Sequence, residues 1–449
     1  MKKQPTLLVI LFICTLNYSS WSQIWEPRNA NFTLPSQGWS ITPTNDSVAW
    51  TFGFVMDSSS TWTYNDWTFQ KTIDGGLTWT AGVFPSGDGG YLSNIASTNK
   101  NRAWIAYNDD STGSKVFETN DGGQTWKDHQ SSLFTTWINS IHFFNENNGI
   151  ILCDPINGDY VILTTDDGGL TWDQVPSGNL PDVLDNDEFG TSGSFAVSDS
   201  TIWFNTFYDR VYYSSDYGHT WDVWDKPTEA SGFSLNVTAD EEKKFYLTFI
   251  DSDNNTFSIF RRNVQDSIWT NLTPADNEGY IPGICAIPGT GNLIMNISPS
   301  RETKVSYDQG NNWITIDTNY EKGFISFYDA NTGYSCELKN TYDDPSQYVF
   351  TYVGSPILGL INNKKIDVNL TLSPNPATQL ITINLKVPAE DDFWILINDI
   401  EGKLIRKLTL TNTSTFNTSL DIQNLKPGIY TVTIATSSGR HTEKFIKIE

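Results

Sequence analysis

Side chains able to do chemistry are plentiful in this chain, but few are arranged for it. The densest acidic group is Asp182-Val-Leu-Asp-Asn-Asp-Glu-Phe189, in which Asp185, Asp187 and Glu188 lie close together. Such a loop can hold Ca²⁺ through its oxygens. If two of its acids face one another across a cleft, it can supply the acid/base pair of a glycoside hydrolase. The same residues also make an ordinary solvated loop. A second group is aromatic, Ser60-Thr-Trp62-Thr-Tyr64-Asn-Asp-Trp67. Flat rings beside hydroxyl and amide groups hold sugar faces, and exposed rings mark binding surfaces. In a chain with 17 tryptophans, Trp62, Tyr64 and Trp67 can equally be packing residues. His129, His142, His219 and His441 show no metal-ligand spacing. Cys153, Cys285 and Cys336 are odd in number and widely separated, so they read as small buried hydrophobes and not as a disulfide framework. Asp154-Pro155 reads as a turn. No Gly-x-Ser-x-Gly, His-Glu-x-x-His or phosphate-binding loop occurs. No cofactor is expected, and no catalytic residue emerges.

The elements that must carry these groups are announced by a repeated phrase. It reads Thr72-Ile-Asp-Gly-Gly-Leu-Thr-Trp79, then recurs at 119–126 and 165–172, with looser copies at 214–221 and 306–313. The shared pattern is [ST]-x-D-x-G-x-x-W. An Asp at the mouth of a tight turn accepts backbone N–H bonds. The Gly two residues on takes a backbone geometry that side chains resist, and the Trp carries apolar surface back across the hairpin. The phrase is thus a locked β-hairpin. A decayed copy, Phe260 to Trp269, keeps the Trp without the Asp or Gly, and the six closing Trp residues then step by 47, 46, 49, 48 and 44. A repeat of about 40–50 residues with four strands is the size of a propeller blade. After Trp313 a further unit has three strands, ending near Tyr348–Val353, and Gln23–Pro27 is a Trp strand with no hairpin before it. The two fragments fit. An all-β, seven-bladed β-propeller is expected, its last blade closed by the N-terminal strand, with six or eight blades as the alternative.

The phrase resembles the Asp-box, or BNR repeat, of bacterial sialidases and related propellers, and the unit shape resembles the YCF48-like group. The resemblance implies that the motif residues are scaffold on the outer rim: Asp74, Gly76 and Trp79; Asp121, Gly123 and Trp126; Asp167, Gly169 and Trp172; Asp216, Gly218 and Trp221; Asp308, Gly310 and Trp313. A sialidase of this kind needs an Arg-Ile-Pro motif and a triad of arginines. None of Arg28, Arg102, Arg210, Arg261, Arg262 or Arg301 precedes Ile-Pro, which argues against that activity.

Beyond about Asp367 the period stops. Leu372-Ser-Pro-Asn-Pro376, Ile400-Glu-Gly-Lys403, Leu425-Lys-Pro-Gly-Ile-Tyr430 and Lys444-Phe-Ile-Lys-Ile448 resemble, in order, the type A C-terminal sorting domain of the Bacteroidetes type IX secretion system. Physically the segment reads as a small antiparallel β-sandwich, with strands at Leu380–Leu385, Trp394–Asp399, Leu404–Leu410 and Tyr430–Ala435. The formal charge, −24 overall, is concentrated at −25 over residues 23–366 against −1 over 367–449. Nucleic acid and anionic membrane surfaces are therefore disfavoured partners. Lys2, Lys3 and the apolar run Leu7–Leu16 mark residues 1–22 as a secretory signal peptide, too short to span a bilayer. No later stretch reads as a membrane span. The expected organisation is a signal peptide at 1–22, propeller at 23–356, linker at 357–368 and sorting domain at 369–449. The sorting domain is the part that meets the type IX machinery, and the protein is expected secreted or on the outer-membrane surface. Two functions remain: a binding or adhesion propeller for glycan or protein, favoured here, and an extracellular glycoside hydrolase of unassigned specificity.

Overall fold

The computed structural model describes residues 24–449 apart from 32–35, 56–66, 85–89, 110–111, 130–132, 135, 185–187, 339–347, 355–356, 358–367, 400–403 and 437–438. The signal-peptide assignment therefore falls outside the described residues.

Up to Tyr352 the described chain forms seven four-stranded antiparallel sheets. The first comprises Ser36–Pro43, Ala49–Val55, Trp67–Thr72 and Thr80–Val83. Five more of the same in-to-out order begin with the strands at Tyr91, Ile138, Gly190, Phe233 and Tyr280. The seventh takes Lys322–Phe327, Gly333–Glu337 and Tyr348–Tyr352 from the end of the array and Trp25–Asn29 from its beginning. Trp25 pairs with Tyr352 and Asn29 with Tyr348, as the lone Trp strand predicts. The first strand of each sheet lies against that of the next, and the seventh lies against the first. The result is a β-propeller with no open inner edge.

The core is distributed in the gaps between sheets. One apolar cluster joins the first and second sheets (Trp50, Phe69, Ile105, Phe117), and equivalents fill the following gaps round to Ala49 and Trp79 against Tyr334 and Cys336. The motif Trp residues act across these gaps as well as along their own hairpins. Trp79 sits edge-on to Tyr334 at 5.7 Å, and Trp126 meets Phe69 at 5.5 Å and Phe84 at 5.3 Å, all on the preceding sheet. Gly76, Gly123 and Gly218 have φ of 83°, 89° and 91°. A Cβ there would also run into Thr351, Phe69 or Ile150 of the preceding sheet. The glycine is therefore required twice, for its dihedral and for the approach of neighbouring sheets.

The intact motifs share one wiring pattern, with Asn312 standing where the other four have Thr. Thr72 Oγ1 donates to Asp74 Oδ1 at 2.8 Å and accepts from Gly76 N at 2.9 Å, while Asp74 accepts from Thr78 N at 2.9 Å and Thr78 Oγ1 at 2.6 Å. The sets around Asp121, Asp167, Asp216 and Asp308 match. Bonds to the ionised carboxylates, from Thr125 and from Thr171, hold the Asp121 and Asp167 carboxyls down to about 2. The decayed copy substitutes another lock. Arg262 lies over Trp224 at 4.5 Å and Trp269 at 5.8 Å, and its Nε donates to Asp266 O at 2.9 Å.

The C-terminal segment is a five-stranded, all-antiparallel sheet. The strands expected at Leu380–Leu385 and Trp394–Asp399 are one continuous strand, Leu380–Asp399, paired with Leu404–Asp421 on both sides of a region of register shifts between Lys386 and Phe393. Its first half pairs with Asn369–Ser373 and its second with Gly428–Thr436. Register shifts after Lys386 let the ladder bend, so Ile381 and Ile383 share one core with Val432, Ile434 and Phe445. Pro388 thus marks a bend and not a break. Ile357, assigned by sequence to the linker, is buried in the propeller core, and its N–H donates to Ala330 O at 2.9 Å. The three described cysteines are buried and unbridged, as expected.

Candidate functional site

The two ends of the propeller strands differ in kind. In the fourth sheet Ser198 pairs with Thr201 at one end and Gly190 with Thr206 at the other. The Asp-boxes follow the third strands, so they lie at the first end. There they bond to the neighbouring turns, as in Gly75 N to Ser47 O at 2.9 Å and Gly168 N to Asn147 O at 2.8 Å. The opposite end holds the connections between sheets and one mouth of the central channel, whose lining also reaches Pro43 and Tyr328 at the Asp-box end.

The channel is a cavity of about 460 Å³ lined by first strands of all seven sheets, including Trp39, Ser93, Asn94, His142, Ser192, Asn236, Gly283 and Phe324. Among the described residues no Asp, Glu, Lys or Arg lines it. Burial holds the His142 imidazole down to about 4, so this ring too is neutral at physiological pH. Trp39 is exposed at the mouth, 5.5 Å from Phe324 and 5.7 Å from Phe54.

Each first strand carries a bulge near the mouth. In six sheets it contains one extra residue, as between Leu92 and Ile95 opposite Tyr107 to Ile105. Asparagine side chains bridge to the next sheet here. Asn94 and Asn108 each bond the N–H and C=O of a single residue, Ile141 and Ile138, at 2.7–2.9 Å. Their amides imitate a β-ladder between sheets. In the fourth sheet the bulge is wider, with Thr191 to Ser194 standing opposite Asn205 alone. Ser192 and Gly193 are pushed into the mouth, with Gly193 at φ 71°. Ser192 Oγ accepts from Trp137 Nε1 at 3.1 Å and donates to Asn139 Oδ1 at 3.3 Å. Asn139 in turn donates to Asp154 Oδ1 at 2.6 Å, which also accepts from Gly190 N at 3.0 Å. Desolvation by burial raises the Asp154 carboxyl above its ordinary range. Asp154, expected in a turn, lies in the strand Gly149–Ile156, where a register shift at Pro155 accommodates the proline.

The sequence-derived candidates are divided by the structure. Trp67 is not a surface ring: it begins a strand, is buried, and donates from Nε1 to Gly90 O at 2.7 Å. Glu188 is not a free loop carboxylate. It is buried and paired with Arg210, whose Nε donates to Oε1 at 2.8 Å, and it accepts from Leu184 N at 2.9 Å. A guanidinium buried at the sheet top must have a carboxylate, and Glu188 is the one in reach. Trp62, Tyr64, Asp185 and Asp187 lie outside the described residues. No cluster of potential metal ligands occurs among the described residues. Sequence reasoning missed Trp39, Trp137, Asn139, Asp154 and Ser192. Gly190-Thr-Ser-Gly-Ser194 was the available signal, a small-residue run just before a strand.

Residues 91–276 match the family model described as "Photosynthesis system II assembly factor YCF48", and residues 371–449 match "Secretion system C-terminal sorting domain". Among solved structures, "YCF48 bound to D1 peptide" is 15% identical with a TM-score of 0.54, covering 77% of this chain and 98% of that one. YCF48 from Cyanidioschyzon merolae is 12% identical with a TM-score of 0.52, covering 73% and 98%. A GH74 enzyme from Niastella koreensis is 12% identical with a TM-score of 0.44, covering 95% and 75%. No curated protein sequence matches. At such identities the likeness is one of fold.

Proposed function

We propose that this chain, similar over residues 91–276 to YCF48 and over 371–449 to a secretion-system sorting domain, is an exported binding propeller of the YCF48-like group that takes a glycan or protein ligand at its channel mouth. The sorting domain, residues 369–449, addresses the chain to the secretion machinery. Residues 1–22 are its export signal, and its destination is the cell surface or the medium. One observation carries the binding reading: among the described residues, a channel built from seven sheets is lined by hydroxyls, amides, apolar chains and rings and by no Asp or Glu, in so acidic a protein. Hydrolysis of a glycoside needs two such groups across a cleft. Trp62 and Tyr64, which lie outside the described residues, are proposed as ligand-binding rings on their sequence alone. In a similarly folded protein the bound ligand is a peptide.

The hydrolase alternative has one specific support, Asp154, a desolvated carboxyl suited to hold a proton. Its nearest candidate partner, Glu188, is already committed to Arg210. The test pairs a ligand screen, using glycan and peptide arrays, with an assay for reducing-sugar release. Binding that Trp39→Ala weakens, without product release, is the expected result. Release abolished by Asp154→Asn would replace the binding reading with the enzymatic one.

A further inference from the structure

At the mouth end the fourth sheet departs from the other six, and its departures converge. The wide bulge at Thr191–Ser194 is one. A second is a patch of exposed rings at the same end: Phe189 before the first strand, Phe207 and Tyr208 in the turn between the second and third, and Phe233 at the start of the next sheet. Phe207 is 60% exposed and Tyr208 45%, with ring centroids 5.9 Å apart.

The ground beneath the rings is rigid. Phe207 N donates to Phe189 O at 2.8 Å. The buried Lys226 ammonium donates to Thr206 O at 2.6 Å, to Tyr208 O, and to Ser234 Oγ at 2.7 Å, next to Phe233. The Glu188–Arg210 pair fixes the other flank, with Arg210 also donating to Asp182 O at 3.0 Å. Two buried cations and a buried carboxylate are thus used to hold up four rings that cover no core. Exposed rings on a fixed base lose little entropy when covered, as in a binding surface.

Charge selects the occupant. No Lys or Arg occurs between Lys127 and Arg210; Arg210 is buried against Glu188, Lys226 is buried on neutral acceptors, and Arg262 lines a hollow beside Glu229 while lying over Trp224. Asp182, Asp209 and Glu229 are exposed around the rings. An aromatic centre whose exposed charges nearest in sequence, Asp182 and Asp209, are acidic complements a cationic segment with apolar side chains and repels an anionic one.

Resting on the reading of the mouth end as a binding face, we propose that Phe189, Phe207, Tyr208 and Phe233 form the docking surface for a basic peptide segment of a partner protein, its Lys and Arg side chains meeting Asp182, Asp209 and Glu229. The test selects a displayed library of random peptides on the full chain, with an array of neutral oligosaccharides run beside it. Selected peptides should be cationic with at least one apolar or aromatic residue, and their binding should weaken as NaCl is raised. The double substitution Phe207→Ser/Tyr208→Ser should weaken it about tenfold or more, with an unchanged thermal melt because the rings support no core. Selection of acidic or uncharged peptides overturns the proposal. So does peptide binding that the double substitution leaves intact but Trp39→Ala abolishes, an outcome that preserves the channel-mouth reading. Ring-dependent capture of neutral oligosaccharides without peptides reassigns the patch to sugar. Failure of the wild-type chain to bind either library removes both readings.

Discussion

The two ends of the propeller are made from the same strands and obey opposite rules. At the Asp-box end five hairpins carry one hydrogen-bond circuit with distances repeating to about a tenth of an ångström. At the mouth end the repeat dissolves: one sheet has a wide bulge, a buried ion pair, a buried lysine and exposed rings that the others lack in this combination. Repetition identifies what each sheet needs to dock on its neighbour, whereas a ligand meets one place only. The regular end should therefore answer to stability measurements and the irregular end to binding measurements.

The largest separation is expected for tryptophans. Trp79→Ala removes a fully buried ring from the closing gap beside Tyr334 and should cost about 3–5 kcal/mol in denaturant unfolding. Trp39→Ala at the mouth should shift the midpoint far less while lowering ligand affinity. Equal losses of stability would erase the contrast. Next comes Gly123→Ala, which imposes a side chain at φ 89° and a contact with Phe69; a loss of about 1–3 kcal/mol is expected. Gly113→Ala, also at positive φ but facing open space, should cost less, which separates the two requirements.

Acid should distinguish the ends by sign. The Asp121 and Asp167 carboxyls titrate at about 2 in the folded chain, below the ordinary value near 4. Their contribution is present above about pH 4 and is lost as pH falls from there through about 2. Asp121→Asn should flatten that part of the stability-versus-pH curve, and a parallel curve would remove the carboxylate lock. Asp154 behaves oppositely. Its carboxyl is raised by desolvation, so ionisation costs the fold stability as pH rises past the ordinary carboxylate range. The smallest effect expected is from Asp154→Asn, a neutral or slightly raised melting temperature at pH 7 with a pronounced effect confined to ligand binding. A marked drop in melting temperature would make Asp154 a scaffold residue.

What the chain displayed in advance follows this division. The Trp period, the decayed hairpin and the strand of Trp25 are legible because a blade must solve one packing problem repeatedly, with similar residues at similar spacing. The Pro-Asn-Pro and Pro-Gly-Ile-Tyr phrases are legible for a related reason, since turns depend on local backbone chemistry. Glu188 and Trp67 were misplaced because composition cannot tell a carboxylate in an acidic run from one bonded to Arg210, 22 residues away, or an aromatic loop from the first residue of a core strand. A strand end was expected after Leu385, yet one strand runs on from Leu380 to Asp399.

Local pattern and period determined by themselves that this protein is all-β and that its sheets close through the N-terminal strand; the sorting domain was legible only through its resemblance to a known family. Tertiary structure alone decided where the ring is uncharged, which acids are spent on internal cations, and which aromatic rings remain uncovered. Those properties depend on desolvation and on partners distant in sequence. Neither leaves a mark in residue order.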